Sequence, residues 1–201
     1  MAEAVSAEKI LDTAARMIER HSVEGFSMRG LAEELGVAVT SIYWHVGGRD
    51  KLFDSLVERL LSEMAHLPVE GETTVECIAS LARSQRRALI ERQHLLAIAH
   101  ERDCTPMLFL PIQQTLAGLL TELGITGTEA ALVLRAVQVQ VISSAVMQFS
   151  AVRGAKHEEE DPSLWNDDWP DQELVQALQA PTDYDELFEY GLAALLARLP
   201  G

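Results

Sequence analysis

The sequence predicts an all-α fold. Three observations carry this. Apolar residues recur at i, i+3, i+4 and i+7 along most of the chain, while the strict alternation of a half-buried strand is nearly absent. Ser, Thr and Asp stand where helices should start, and Gly or Pro stands where they should stop. With 48% apolar and 23% charged residues in 201, the chain can build a substantial core.

The elements follow in order. Ser6 caps a first helix with Ile10, Leu11, Ala14, Ala15 and Ile18 on one face, ending near His21. Ser27 caps a second, short helix carrying Met28, Leu31, Ala32 and Leu35, and Gly36 ends it because glycine takes the left-handed conformation cheaply. A third helix covers about Val39–His45, and Gly47 and Gly48 break it. A fourth starts near Arg49 and buries Phe53, Leu56, Val57, Leu60, Leu61 and Met64. Beyond Leu67-Pro68 the helices lengthen, over about Thr73–Arg92 and His94–Asp103. Pro106 and Pro111 interrupt the start of the next, which ends at Gly124. Thr126 and Glu129 form a capping pattern for a helix running to about Val152, roughly 39 Å long at 1.5 Å per residue. Residues 153–170 read as an acidic loop holding Trp165 and Trp169. A short helix at Asp171–Gln179 and a last one from Asp183 to Leu199 complete the chain.

Charge is uneven. The formal net charge of −15 divides into −4 over residues 1–66, −2 over 67–150 and −9 over 151–201. Any contact with nucleic acid must rest on a few well-placed cations rather than on bulk charge. Two cysteines, Cys77 and Cys104, exclude a disulfide scaffold and fit a reducing, cytoplasmic compartment. The first twenty residues carry Glu3, Glu8 and Asp12 and do not read as a signal peptide. The longest charge-free stretch inside an apolar helix, Ala136–Val152, is 17 residues long and holds Gln138, Gln140, Ser143, Ser144 and Gln148, so no membrane partner is expected.

The second and third helices and the Gly36 bend form a helix-turn-helix unit: small Ala32 where helices cross, Val37 and Ile42 beneath. Val39, Thr40, Ser41, Tyr43 and His45 are expected outward, on a helix able to enter a major groove, while Trp44 is expected in the core. Leu35-Gly36-Val37, then Ile42-Tyr43-Trp44-His45-Val46, then Arg49, Lys51, Leu52 and Phe53, resemble the DNA-binding domain of the TetR family of bacterial regulators, and Tyr-Trp-His is similar to its tetracycline-repressor subgroup. The specific resemblance covers about residues 8–60.

The resemblance implies a helix-turn-helix DNA-binding domain over 1–48, a connecting helix over 49–66 and a helical ligand-binding and dimerisation domain over 67–201. It implies a repressor, bound to a palindromic operator in double-stranded DNA as a homodimer and released by a small-molecule inducer. Arg29, Thr40, Ser41, Tyr43, His45, Arg49 and Lys51 would meet phosphates and base edges. Val39 and Thr40 stand where the subgroup has a base-reading glutamine and a proline, so the operator should differ. The homodimer would form through helices 127–152 and 183–199. For the former there is an independent reason: Leu132, Val133, Ala136, Val137, Val139, Ile142, Val146 and Phe149 cover more than one face.

A pocket with a few polar anchors is expected in the larger domain, with His100, Met107, Phe109, Gln113, Gln140, Ser144 and Met147 as its candidate lining. His100, Asp103 and Cys104 would share a face if helical, but the close-set Cys/His pairs of a zinc site are missing. The long helix offers Val146, Met147 and Gln148 where a drug–magnesium chelate would need a carboxylate, so no metal or cofactor is expected. No catalytic residues are expected either, since no Ser/His/Asp or Cys/His set, P-loop or dinucleotide fingerprint occurs. The few cations of residues 1–66 keep a second reading open: a helical interaction protein that has lost specific DNA binding.

Overall fold

The computed structural model describes residues 5–154 and 171–200. The acidic segment with Glu158–Asp161, Trp165 and Trp169 lies outside the described residues. The described residues form ten α-helices and one 3-10 turn, with no strand among them. In order these are α1 (Ala7–His21), α2 (Met28–Leu35), α3 (Val39–Val46), α4 (Arg49–Met64), α5 (Thr74–Glu91), α6 (Gln93–Glu101), a 3-10 turn (Thr105–Phe109), α7 (Leu110–Glu122), α8 (Gly127–Gly154), α9 (Gln172–Gln179) and α10 (Tyr184–Leu196).

The starts and stops are chemical. Ser6 Oγ accepts from the Lys9 amide and Ser27 Oγ from the Gly30 amide, so α1 and α2 open on the expected serines. Gly36 lies in the left-handed region (φ 67°), and its turn lets the Val37 amide return to the Ala32 carbonyl. Asp171 caps α9, and Asp183 caps α10 by accepting from the amides of Asp185 and Glu186. A full capping box stands at α5, where Thr73 Oγ1 accepts from the Glu76 amide and Glu76 Oε2 accepts from the Thr73 amide. The sequence reading missed it and placed a box at Thr126 and Glu129. There Gly127 enters α8 at φ 60°, outside the helical range that the first residue of a capped helix needs.

Helices α1, α2 and α3 pack on one another, and α4 leads out of this unit to pack against α6 and α7. Beyond it α5, α7 and α8 form a bundle, with α10 along α8. The buried apolar residues from Val5 to Leu192, other than Val175 of α9, belong to one continuous hydrophobic cluster.

The outward face of α8 departs from the simple core pattern. Its buried residues Leu134, Val137, Val141 and Ala145 face the bundle, while Leu132, Val139 and Met147 are exposed on the opposite side. Gly127–Ala151 is, by length and composition alone, long and apolar enough to cross a membrane, contrary to the sequence reading. Its polar residues are spent on packing: Gln138, Gln140, Ser144 and Gln148 all bond neighbouring segments of the bundle.

Candidate nucleic-acid interface and bundle sites

The helix-turn-helix surface is built around Ile42, which is fully buried beneath α3. Residues three before and four after it share its face, so Val39 and Val46 pack partly into the core. Val39 was expected outward, as a groove contact. Its spacing from Ile42 turns it inward instead. Trp44 reverses in the other direction. It lies roughly 200° around the helix from Ile42, at 100° per residue, and is 83% exposed. The expectation that Trp44 is core is therefore corrected. Its indole meets the His45 ring edge-on, with centroids 4.8 Å apart. Tyr43 is half exposed, Thr40 is exposed, and Ser41 and His45 are partly exposed. The outward face is thus Thr40, Tyr43 and Trp44, flanked by Ser41 and His45.

The cations around this face differ in freedom. Arg29 is exposed but paired with Glu33 one turn along α2, at 3.0 Å. Arg49 is held by its own fold: it donates to the Val23 carbonyl at 3.1 Å, lies 4.6 Å over the Phe53 ring and sits 3.8 Å from Glu101. Lys51 is exposed and makes no ion pair among the described residues. Arg49 and Lys51 were expected to act alike at the α4 start. Arg49 instead braces α4 against the α1–α2 link and the end of α6.

In the bundle, the candidate lining residues take different surroundings. His100, Met107, Gln113 and Met147 are exposed, and Phe109 is partly buried with its carbonyl taken by Gln138 at 2.8 Å. Gln140 donates to the Phe188 carbonyl of α10 at 3.3 Å, and Ser144 accepts from Arg86 at 2.9 Å. Both of these α8 side chains therefore join helices. The helical spacing of His100, Asp103 and Cys104 does not apply, since α6 ends at Glu101 and Asp103 has φ 54°.

Arg86 is the residue that sequence reasoning missed. It is 7% exposed on α5 and sends its guanidinium to four acceptors. Nε donates to Ser144, Nη1 to Asp185 at 2.6 Å, and Nη2 to Gln148 at 2.6 Å and to the Tyr184 carbonyl at 3.0 Å. Its Cζ sits 4.8 Å over the Phe188 ring. A planar fork can join α5, α8 and the start of α10 in one network in a way that a point charge cannot. Beside it Arg83 forms a two-pronged pair with Glu189, which raises the guanidinium pKa further and lowers that of the carboxyl. An open cleft of about 380 Å³ lies over this group, with Ile90 and Phe188 as its apolar lining.

The fold and the α2–α3 surface define a helix-turn-helix protein with an all-helical second part. Residues 10–56 match the family described as bacterial regulatory proteins, tetR family. The chain is 33% identical over 96 residues to an HTH-type transcriptional regulator of Saccharopolyspora erythraea, covering 47% of this chain and 40% of that one. It is 32% identical over 85 residues to the class D tetracycline repressor of Escherichia coli, covering 41% and 39%. These matched segments span about two fifths of each relative. Over nearly the whole chain it resembles the crystal structure of the Streptomyces coelicolor TetR family protein ActR in complex with actinorhodin, with a TM-score of 0.71, 25% identity and coverage of 97% and 96%. Residues 10–56 thus resemble the N-terminal domain of the tetR family, and the chain as a whole shares its fold with the TetR family protein ActR.

Proposed function

We propose that this protein is a ligand-responsive transcriptional repressor that binds a palindromic operator as a homodimer in the cytoplasm and is released by a small-molecule inducer. The observation that carries the reading is the outward face of α3: Thr40, Tyr43 and an 83% exposed Trp44 above a fully buried Ile42. An indole left in water on an eight-residue helix gains nothing for the fold, whereas hydroxyl, ring and methyl groups suit base edges and phosphates. Thr40, Ser41, Tyr43, Trp44 and His45 form the reading surface. Arg29 and Lys51 meet the backbone, and Arg49 positions α4.

The apolar stripes Leu132, Val139 and Met147 on α8 and Leu187 and Tyr190 on α10 support the homodimer, because a second copy would remove them from water. Two recognition helices then serve two half-sites about 34–36 Å apart. An inducer acts by binding better to a dimer whose spacing does not fit DNA. His100, Met107, Phe109, Gln113 and Met147 remain its proposed contacts, and the family resemblance to a ligand-bound ActR supports such a site.

The test is selection of genomic fragments by the purified protein, then titration on the recovered DNA at two salt concentrations. Enrichment of one palindrome, with affinity falling as salt rises, is the expected result. The internal pairing of Arg29 and Arg49 favours a second reading, a helical interaction protein without specific DNA binding. Failure to enrich any sequence by protein stripped of ligand would select it.

A further inference from the structure

Two turns of α5 bring three arginines to one cleft. Arg83, Arg86 and Arg87 line it with Ile90 and Glu91, and Gln148 of α8 and Asp185, Phe188 and Glu189 of α10 complete a volume of about 380 Å³. That size falls within the range of small-molecule sites, roughly 300–1,000 Å³. Three carboxylates share the lining, so the character of the cleft depends on which charges are already matched. Glu189 accepts from Nε and Nη2 of Arg83 on its two oxygens, at 2.8 and 2.7 Å. Asp185 accepts from Nη1 of Arg86. Glu91 lies 3.6 Å from Nη1 of its neighbour Arg92. It stands one turn after Arg87, which is the weaker order for such a pair on a helix. Arg87 itself is exposed and makes no ion pair among the described residues. Among the described charges of the cleft, its guanidinium alone is uncommitted.

We propose that this cleft binds a small aromatic monoanion, whose carboxylate pairs with Arg87 while its ring lies against Ile90 and the arginine stems. Arginine suits both halves of such a ligand. Its fork grips a carboxylate through two parallel bonds, its plane stacks on aromatic faces and its stem is apolar. The wall behind is already rigid, because Arg86 is 7% exposed, tied to acceptors on α8 and α10 and seated over Phe188. A ligand therefore does not have to order that wall as it binds. The charge selects a single anion. A second negative group would find Arg83 and Arg86 taken, and a cation would meet Arg87 with no free carboxylate to hold it. The chain's net charge of −15 does not forbid this, since exposed charges more than about 8 Å away are largely screened at physiological ionic strength. The cleft shares no residue with the inducer contacts proposed above, and the inference does not depend on DNA binding.

The test uses the full-length chain and two probes of one shape, naphthoate and its neutral alcohol, naphthylmethanol. Each is titrated by calorimetry and by amide chemical shifts, into the protein and into Arg87→Gln. Arg87 is exposed and unpaired, so its replacement leaves the fold intact, which an unchanged unfolding midpoint verifies. The expected result has three parts. Naphthoate saturates the protein below about 5 mM, and its shifts cluster at residues 83–91 of α5 and 185–189 of α10. The alcohol binds about fivefold more weakly. Arg87→Gln weakens naphthoate by about the same factor and leaves the alcohol unaffected. Failure to saturate, shifts that centre elsewhere, equal affinity for the two probes, or naphthoate affinity unchanged in Arg87→Gln each overturns the proposal.

Discussion

Replacing Arg86 by methionine should destabilise the protein far more than replacing Asp185, the carboxylate it pairs with. The magnitude follows from what each change leaves behind. Asp185 is 76% exposed, so Asp185→Asn releases a carboxylate that water already solvates, and costs about 0–1 kcal/mol. Arg86→Met strips a charged donor from Ser144, Gln148 and the Tyr184 carbonyl together. Such bonds contribute about 1.5–3 kcal/mol each when the acceptor stays dry. Water entering from the adjacent cleft would restore part of this, and methionine keeps the contact with Phe188. The expected net loss is about 3 kcal/mol. Arg86→Lys should fall between, because one ammonium cannot reach acceptors on two helices at once. The assay is guanidinium unfolding at one fixed protein concentration, since dimerisation would make apparent stability concentration-dependent. If Arg86→Met costs no more than Asp185→Asn, the claim that this guanidinium joins α5, α8 and α10 is wrong.

Other changes probe separate parts of the molecule. Trp44→Ala and Tyr43→Ala should leave the unfolding midpoint nearly unchanged and weaken binding to selected DNA by at least about tenfold, or 1.4 kcal/mol, in a titration. Equal affinity would remove the residue from the surface. Gly36→Ala should cost about 1–2 kcal/mol because its φ of 67° disfavours a Cβ although nothing crowds that site, and Gly36→Asn should cost less, as thermal denaturation can show. Thr73→Ala removes the acceptor for the Glu76 amide and should cost about 1 kcal/mol, with the earliest loss of hydrogen-exchange protection at the α5 start. Leu187→Glu combined with Val139→Glu should give a folded monomer by sedimentation, because both positions are exposed within the protomer. A dimer that survives both charges would move the interface elsewhere.

The short helices of residues 6–64 were legible because each carries its own start, stop and apolar stripe within one or two turns. Ser6, Ser27 and Gly36 needed no tertiary information. Trp44 was misjudged because its aromatic character outweighed its position. Once Ile42 is taken as buried, the helical angle alone sends Trp44 outward and Val39 inward. Arg86 was opaque for a different reason. Its partners Ser144, Gln148 and Asp185 lie 58, 62 and 99 residues further along, and no local pattern marks such a meeting. Gln140 and Ser144 could equally have lined a cavity or tied helices together. Only the position of α10 and α5 against α8 decides for the second. The helical span of α6 was overextended because no Gly or Pro before Thr105-Pro106 marks the stop that the backbone makes at Glu101.

The pairing of Arg29 with Glu33 and of Arg49 with Glu101 bears on how a DNA reader of this kind would search a genome. Sliding along arbitrary sequence depends on a loose, delocalised attraction to phosphates, and a chain of net charge −15 with its nearby arginines engaged offers little of it. Such a protein would spend most of its time free in solution and reach its target by repeated collision rather than by one-dimensional scanning. Fewer copies would be sequestered on irrelevant DNA, so a small pool could keep one site occupied, at the expense of a slower first arrival.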